Sequence, residues 1–185
     1  MPLLVTSAAD ANGNGYGALL AFDRDGTPLG PFSSDTRIAD PRGLGVQRDE
    51  GLLFLNSGTN RVPALDPSGR LLSSWRVQDP ELSPLDLAVA PNGNIVVSSE
   101  HPFGAPEAVT TVREYDATDG HLVRVFAPGD SAEFRKPRGL RFGPDGRLYG
   151  VARDEVVTFD FATGQCLGPL VTLPRLNGQA LIFFP

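Results

Sequence analysis

A short phrase recurs three times along the chain. It reads "PRGLRFGPDGRLYGV" at 137–151, "PLDLAVAPNGNIVVS" at 84–98 and, in a degraded form, "PRGLGVQRDEGLLFL" at 41–55. Self-similarity at a period of roughly 20 to 50 residues is the signature of a repeat architecture. The chain is therefore expected to fold as a series of similar units.

Each copy of the phrase predicts a β-hairpin. It opens with a proline, which lacks a backbone donor and suits the first residue of a strand. A tight turn follows, "APNGN" at 90–94 or "GPDGR" at 143–147, in which the glycine supplies the positive φ that a hairpin needs. The β-branched and aromatic residues after the turn predict a second strand.

A second motif marks the third strand of each unit. An apolar run ends in an aspartate, and a glycine-containing turn follows it. In such turns the aspartate side chain accepts a hydrogen bond from the backbone two residues on. A more polar run after each turn predicts a fourth strand. The four aspartates are Asp23, Asp66, Asp116 and Asp160.

Four short strands repeated four times predict the blades of a β-propeller, because one such sheet cannot bury both faces without neighbours. We expect an all-β propeller of four four-stranded antiparallel blades, forming one domain over residues 1–185. The predicted units are 3–40 with 178–185, 41–83, 84–136 and 137–177.

The two ends of the sequence carry complementary halves of one unit. "LLVTSA" at 3–8 matches the second strands, and "NGQALIFFP" at 177–185 matches the first. We therefore expect the C-terminal strand to complete the first blade, within one chain or in trans in a homodimer. Either arrangement would cover sheet edges that otherwise invite aggregation.

The repeat resembles a known family. The Pro-x-Gly-Leu start, the "GPDGRLYG" turn and strand at 143–150 and the "FDFATG" turn at 159–164 are similar to the NHL-type β-propeller repeat. They are most similar to streptogramin lyase-like and SMP-30/gluconolactonase-like propellers, and the resemblance covers nearly the whole chain. Such propellers include lyases, lactonases, peptide binders and scaffolds, so the resemblance implies a fold and several activities.

Composition narrows the partners. The net charge of -6 and the pI near 4.8 argue against nucleic acid, which needs clustered basic residues. A single cysteine, Cys166, excludes an internal disulfide and a cysteine metal cage. The sequence has no membrane-length apolar run and no secretory signal at its start. We expect a soluble cytoplasmic protein without a membrane partner, or a periplasmic or secreted one if an export segment precedes this sequence.

Propeller ligands bind in the loops around the channel mouth, so polar residues beside first strands or after second strands are candidates. The residues predicted to bind a ligand are Asn56, Asp86, Arg42, Arg138 and Arg153. Further polar residues in equivalent places are Asp10, Asn12, Asn60 and Arg141.

The resemblance to lactonases implies a divalent cation held by Glu, Asn and Asp side chains from different blades. Glu100, Asn56 and Asp86 are the residues that would supply this set here. Oxygen ligands of this kind suit Ca²⁺ or Mg²⁺. The alternative is that they are ordinary turn residues bonded to their own backbone, which is how turns commonly use Asn and Asp. The sequence by itself does not identify a cofactor.

The resemblance to streptogramin lyases implies a histidine base beside Mg²⁺. His101 lies in the insertion "SSEHPFGAPE" at 98–107, next to Glu100, which could orient it. His101 and Glu100 are therefore the candidate catalytic residues, whereas His121 starts an outer strand. With one suitable histidine, the residues favour a noncatalytic binding or scaffold propeller for a protein or small ligand. The alternative is a divalent-metal-dependent lyase or lactonase.

Overall fold

The structure is a computed structural model. The chain divides into two compact units, Met1–Val77 and Gln78–Pro185. Nothing is described of the side chains at positions 101, 109 and 110. The residues described are 3–7, 17–47, 51–77, 83–101, 109–126, 138–176 and 178–184.

The first unit contains two antiparallel sheets in which consecutive strands are neighbours. The first sheet has three strands, β1 (Leu3–Ser7), β2 (Ala18–Phe22) and β3 (Pro28–Pro31). The second has four, β4 (Pro41–Val46), β5 (Leu52–Asn56), β6 (Arg61–Leu65) and β7 (Leu71–Arg76), with a 3-10 turn at Ser57–Thr59. Their shared core consists of Leu19, Ile38, Leu52, Phe54 and Leu65.

The second unit contains two four-stranded antiparallel sheets. The third sheet is formed by β8 (Ser83–Val89), β9 (Ile95–His101), β10 (Val109–Tyr115) and β11 (Leu122–Phe126). The fourth is formed by β12 (Gly139–Phe142), β13 (Leu148–Val151), β14 (Glu155–Phe159) and β15 (Cys166–Thr172). One apolar core joins the two sheets, with Val96, Val112, Phe126, Leu140, Leu148 and Phe159 among its buried members.

The predicted all-β class with four antiparallel sheets is confirmed. The 3-10 turn is the one helical element among the residues that the structure describes. Across these same residues, no helix has the length and apolar character needed to span a membrane.

The aspartate turns form as the sequence predicts. The Oδ1 atom of Asp23 accepts hydrogen bonds from the backbone of Asp25 and Thr27 at 3.1 and 2.9 Å. The equivalent aspartates 66, 116 and 160 accept from the backbone two or three residues on, at 2.7 to 2.9 Å. Gly26 and Gly69 close the first two turns with φ of 87° and 84°. These local bonds, rather than distant packing, set where each third strand ends.

Gly69 and Gly26 occupy the same turn position in different surroundings. A Cβ atom at Gly69 would collide with the carbonyl group of Phe32, whereas one at Gly26 would meet nothing within 4 Å. Both alanine variants carry the strain of a positive φ, roughly 1 to 2 kcal/mol. Gly69→Ala is expected to lose about 1 to 3 kcal/mol more because of the collision. Urea unfolding of the two variants checks this, and equal losses would contradict the contact.

Completion of the first sheet by the C-terminal segment stays a prediction. Residues 178–184 form no strand, and the first sheet has three strands within the described residues. The Phe183 ring packs edge-on against Tyr149, with ring centroids 4.8 Å apart. Gly139 lets the segment approach closely, since a Cβ atom there would lie 2.9 Å from the Cα of Ala180. Completion in trans by a second chain stays a prediction.

Candidate functional site

Two of the predicted site residues share one face of the third sheet. Asp86 in β8 is directly opposite Ser98 in β9, and Glu100 follows Ser98 by two residues. Alternate side chains of a strand point to the same face, and their Cα atoms are about 6.6 Å apart. Asp86 and Glu100 are both buried. The structure therefore brings these two carboxyl groups to one side of the sheet.

Asp86 joins the third sheet to the fourth. Its Oδ2 atom accepts hydrogen bonds from the backbone N–H of Leu140 at 2.8 Å and from Nη1 of Arg141 at 3.2 Å. Leu140 lies in β12, at the edge of its sheet, where outward backbone groups need a partner outside the ladder. Burial raises the pKa of Asp86, and the bonds from Leu140 and Arg141 only reduce that rise. The contacts described for this carboxylate are structural.

The raised pKa of Asp86 predicts an unusual pH dependence. Between 3.8, its ordinary pKa, and the higher native value, the native state holds a proton that the unfolded state has lost. The stabilising contribution is therefore complete below 3.8 and is lost as pH rises through the native pKa. We expect the unfolding free energy of the wild type, relative to Asp86→Asn, to fall across that window and then level off. Urea titrations at stepped pH measure it, and a difference that grows with pH would contradict the assignment.

The predicted catalytic pair is only partly described. Glu100 lies in β9 with none of its surface exposed. The backbone of His101 ends the same strand, opposite Val109, but its side chain lies outside the described part of the structure. The pairing of these two residues in catalysis therefore stays a prediction.

Asn56 is used to hold backbone in place. Its Nδ2 atom donates to the carbonyl oxygen of Arg37 at 2.8 Å, and its Oδ1 atom accepts from the N–H of Ala39 at 2.6 Å. The side chain is 3% exposed. Both ends of the amide are thus engaged in fixing residues 37–39 against the end of β5. Asn56 acts here as a positioning residue.

Two members of the predicted metal set take part in other contacts. One oxygen of Asp86 and the amide oxygen of Asn56 already accept hydrogen bonds. No group of three or more His, Cys, Asp or Glu side chains that could hold a metal ion occurs in the described ranges. Ca²⁺ or Mg²⁺ binding by these residues stays a prediction that the geometry does not favour.

Each predicted arginine makes contacts within its own unit. Arg42 pairs with Asp40 in the first unit, with Nη2 2.9 Å from Oδ2. In the second unit Arg138 donates its backbone N–H to Val151, and Arg153 is 66% exposed and 3.9 Å from Asp154. Asn60 has a left-handed backbone with φ of 51°. Asp10 and Asn12 lie outside the described residues.

A cavity of about 420 Å³ lies in the first unit, against one face of the second sheet. Residues 35–38, which connect the first sheet to the second, form one side of it. Most of its exposed wall area is apolar, although six of its eleven lining residues have polar side chains. The lining residues are Asp35, Arg37, Ile38, Phe54, Asn56, Thr59, Arg61, Pro63, Leu65, Leu71 and Ser74.

Arg61 is the distinctive polar group of this cavity. Its Nε atom donates to Oγ of Ser74 at 2.9 Å, and its Nη2 atom donates to the carbonyl oxygen of Ser74 at 2.6 Å. These bonds fix the plane of the guanidinium group. Arg61 makes no ion pair with the described residues, whereas the cavity's other two charged residues pair with each other. Sequence reasoning missed Arg61 and Ser74, because a bulge after Ala64 shifts the register of β6 against β7.

The other charges of the cavity cancel. Arg37 and Asp35 form a two-point contact, Nε to Oδ1 at 2.9 Å and Nη2 to Oδ2 at 2.6 Å. Hydrogen bonding to Arg37 holds the pKa of Asp35 below its ordinary value, although partial burial opposes this. Asp35 is therefore ionised at neutral pH, and its charge is compensated by that of Arg37. The positive charge of Arg61 is left without a counter-charge in the cavity.

Comparison with known proteins identifies similar folds among solved structures. No protein-family model matches the sequence, and the search of curated proteins found no match either. Among solved structures, a protein of unknown function from Bacteroides caccae matches all of this chain, with a TM-score of 0.62 and 16% identity. Virginiamycin B lyase from Staphylococcus aureus, solved with quinupristin, matches 97% of this chain and 76% of its own, with a TM-score of 0.55 and 12% identity.

A gluconolactonase from Xanthomonas campestris matches 90% of this chain and 72% of its own, with a TM-score of 0.53 and 21% identity. The chain thus has the fold of the SMP-30/gluconolactonase-like and streptogramin lyase-like β-propellers, as its repeat predicts. At these identities the likeness shows the fold alone. The chain spans 62% of the length of the Bacteroides caccae protein and 65% of that of a streptogramin B lyase. Assignment of the repeat to the NHL type stays a prediction.

Proposed function

We propose that the protein is a noncatalytic binding protein and that the cavity of the first unit holds a small ligand. The observation that supports this is the cavity itself, about 420 Å³ with apolar walls and one unmatched cation. Small-molecule sites commonly enclose about 300 to 1,000 Å³, lined by apolar side chains with a few polar groups that orient the ligand. The hydrogen bonds that Asn56 and Asp86, two residues predicted for metal binding, accept from backbone groups also support a noncatalytic role.

The test is a small-molecule binding screen read by thermal shift and confirmed by calorimetry. Thr59 is exposed and lines the cavity, so Thr59→Trp introduces bulk at the site with little cost to the core. Thr118→Trp, in an exposed turn of the second unit, is the matched control. A ligand of this site should bind at least about tenfold more weakly to Thr59→Trp and unchanged to Thr118→Trp. Equal binding to all three proteins would place the ligand elsewhere and end the proposal.

A metal-dependent lyase or lactonase is the second candidate. It is supported by the structural likeness to virginiamycin B lyase and gluconolactonases and by the shared face of Asp86 and Glu100. Hydrolysis of gluconolactone and cleavage of a streptogramin B would be assayed with and without Mg²⁺ or Ca²⁺. Activity that is lost in both Glu100→Gln and His101→Ala, with melting temperatures unchanged, would favour this candidate over the first.

Metal removal separates the two candidates without an activity assay. An ion at 100 times its Kd would stabilise the native state by about 2.7 kcal/mol. That corresponds to roughly 5 to 10 °C in Tm for a chain of this size. Because oxygen atoms of Asn56 and Asp86 already accept hydrogen bonds, we expect the same Tm in EDTA and in millimolar Ca²⁺ or Mg²⁺. Differential scanning calorimetry decides, and a shift of several degrees would overturn the noncatalytic assignment.

A further inference from the structure

We infer that the cavity of the first unit takes a small molecule with an apolar body and an anionic head group, bound by Arg61. The inference rests on the proposed binding function and names the ligand class of the same site. Its grounds are the free donors of Arg61, the charges around them and the walls of the cavity.

Arg61 has donors to spare. An arginine side chain carries five N–H groups, and Ser74 takes the one on Nε and one of the two on Nη2. Nη1 makes no hydrogen bond to any described residue. The end of the guanidinium group therefore keeps a second pair of parallel donors, and two parallel N–H groups match a carboxylate or phosphate. Because Ser74 holds the group in place, little side-chain entropy would be lost on binding.

A second cation stands beside Arg61. Arg76, at the end of β7, is directly opposite Arg61 in the register of β6 and β7. Like charges directly opposite each other on neighbouring strands are destabilising. Neither arginine makes an ion pair within the described residues, although the chain as a whole has a net charge of -6. An anion bound at this point would relieve the repulsion, whereas a neutral or cationic ligand would not.

The rest of the cavity suits an apolar body. Phe54 and Leu65 are each 1% exposed, and Ile38, Pro63 and Leu71 extend the same surface. The polar atoms of Asn56 are turned to the backbone of residues 37 and 39, so the amide is not available to a ligand. The cavity thus combines one unpaired charge with apolar wall area, the arrangement expected for an amphipathic anion.

The test uses four six-carbon aliphatic probes with different head groups, namely hexanoate, hexyl phosphate, hexanol and hexylamine. Isothermal titration calorimetry on the full chain at low salt gives their affinities. We expect both anions to bind, the alcohol at least about tenfold more weakly and the amine not at all, with anion binding weakened by salt. The ratio of hexanoate to hexyl phosphate shows which head group the site prefers.

Three substitutions locate the contact. Arg61→Met should weaken anion binding on the order of 10- to 100-fold, as expected for loss of a charged hydrogen-bond donor. Arg76→Gln, at an exposed position, should weaken it about 2- to 5-fold. Arg24→Gln removes the same charge from an exposed turn of the same unit and should change nothing. If Arg61→Met does not fold, Arg76→Gln and the probe series still decide.

The outcomes distinguish failure of the anion inference from failure of the proposed binding function. Hexanol or hexylamine binding as tightly as the anions, with Thr59→Trp weakening all of them, would overturn the anion inference and leave the binding site in place. No probe of any head group binding in a Thr59-sensitive way would end the inference and count against the proposed function as well. If Arg24→Gln weakens anion binding as much as Arg76→Gln does, the affinity depends on the net charge of the unit. That result would overturn the role of the arginine pair.

Discussion

Replacing Glu114 with alanine is expected to lower the free energy of unfolding of the second unit by about 3 to 5 kcal/mol. Glu114 in β10 is 1% exposed. Its Oε1 atom accepts from the amides of Asn92 and Asn94 at 2.9 and 2.7 Å, and its Oε2 atom accepts from Nε of Arg124 at 2.6 Å. Alanine would leave three donors without their acceptor, one of them charged.

The loss would reach the neighbouring sheet through Arg124. This side chain donates from Nη1 to the carbonyl oxygen of Ala162 at 2.9 Å, in the turn after β14. Its guanidinium group also lies 4.9 and 4.8 Å from the ring centroids of Phe126 and Phe161, within the range of a cation–π contact. Glu114 therefore positions the arginine that joins the third sheet to the fourth.

Chemical unfolding of the second unit measures this effect, and a Tm decrease of roughly 2 to 4 °C per kcal/mol should accompany it. Asp119→Ala, which removes an exposed carboxylate paired with His121, is the control and should have a much smaller effect. A Glu114→Ala loss no larger than that of the control would show that the network contributes nothing net.

The pH dependence of the same group gives an independent check. Burial alone would raise the pKa of Glu114, but the bonds from Asn92, Asn94 and Arg124 outweigh it and lower the pKa below the ordinary 4.5. A lowered native pKa means that the stabilisation is present above 4.5 and is lost as pH falls through the native value. The difference between the wild type and Glu114→Gln should therefore shrink on acidification, the opposite sense to Asp86.

Phe54→Ala is expected to be the largest single loss in the first unit, about 3 to 5 kcal/mol. The side chain is 1% exposed and lies in the core shared by the two sheets of that unit. Its removal costs the transfer free energy of the ring and leaves a space that the sheets cannot fully close. Phe32→Ala, at a partly buried position on the same core, should cost less.

Phe54 also lines the cavity, so the variant tests function and stability together. Provided that the variant remains folded at 10 °C, an enlarged cavity should accept branched or aromatic probe bodies that the wild type binds poorly. Urea unfolding and calorimetry at that temperature measure the two effects. A loss below about 1 kcal/mol would mean that the core around Phe54 is not packed as described.

The parts of the fold that the sequence predicts are those governed by neighbouring residues. The bonds of Asp23 and Asp66 join atoms within four positions along the chain, so the turns are readable from composition and spacing. The hairpins follow from the same local rules. The roles of Asn56 and Asp86 depend on distant partners instead, since the acceptor in β8 meets a donor 54 residues later in β12. Asn56 and Asp86 were predicted as site residues because they are polar. Only the folded chain shows that their hydrogen bonds hold backbone groups in place.

The candidate ligand site was not readable for a related reason. Arg61 is a candidate ligand-binding residue because Ser74 and Arg76 lie on the neighbouring strand beside it. That register depends on a bulge that no local sequence motif predicts. The C-terminal segment has a strand-like motif, and its Phe183 ring packs against Tyr149, a contact that the motif does not predict. Pattern alone gives the strand propensity of a segment, and packing decides its partner.

The two hydrogen bonds of Asn56 have a kinetic consequence. By binding the backbone of residues 37 and 39, they hold one wall of the cavity in place before any ligand arrives. A site that needs no ordering avoids the entropic cost of closure, so the association rate would be limited by diffusion and orientation rather than by a conformational change. Ligands of this cavity would then differ in affinity chiefly through how long each one stays bound.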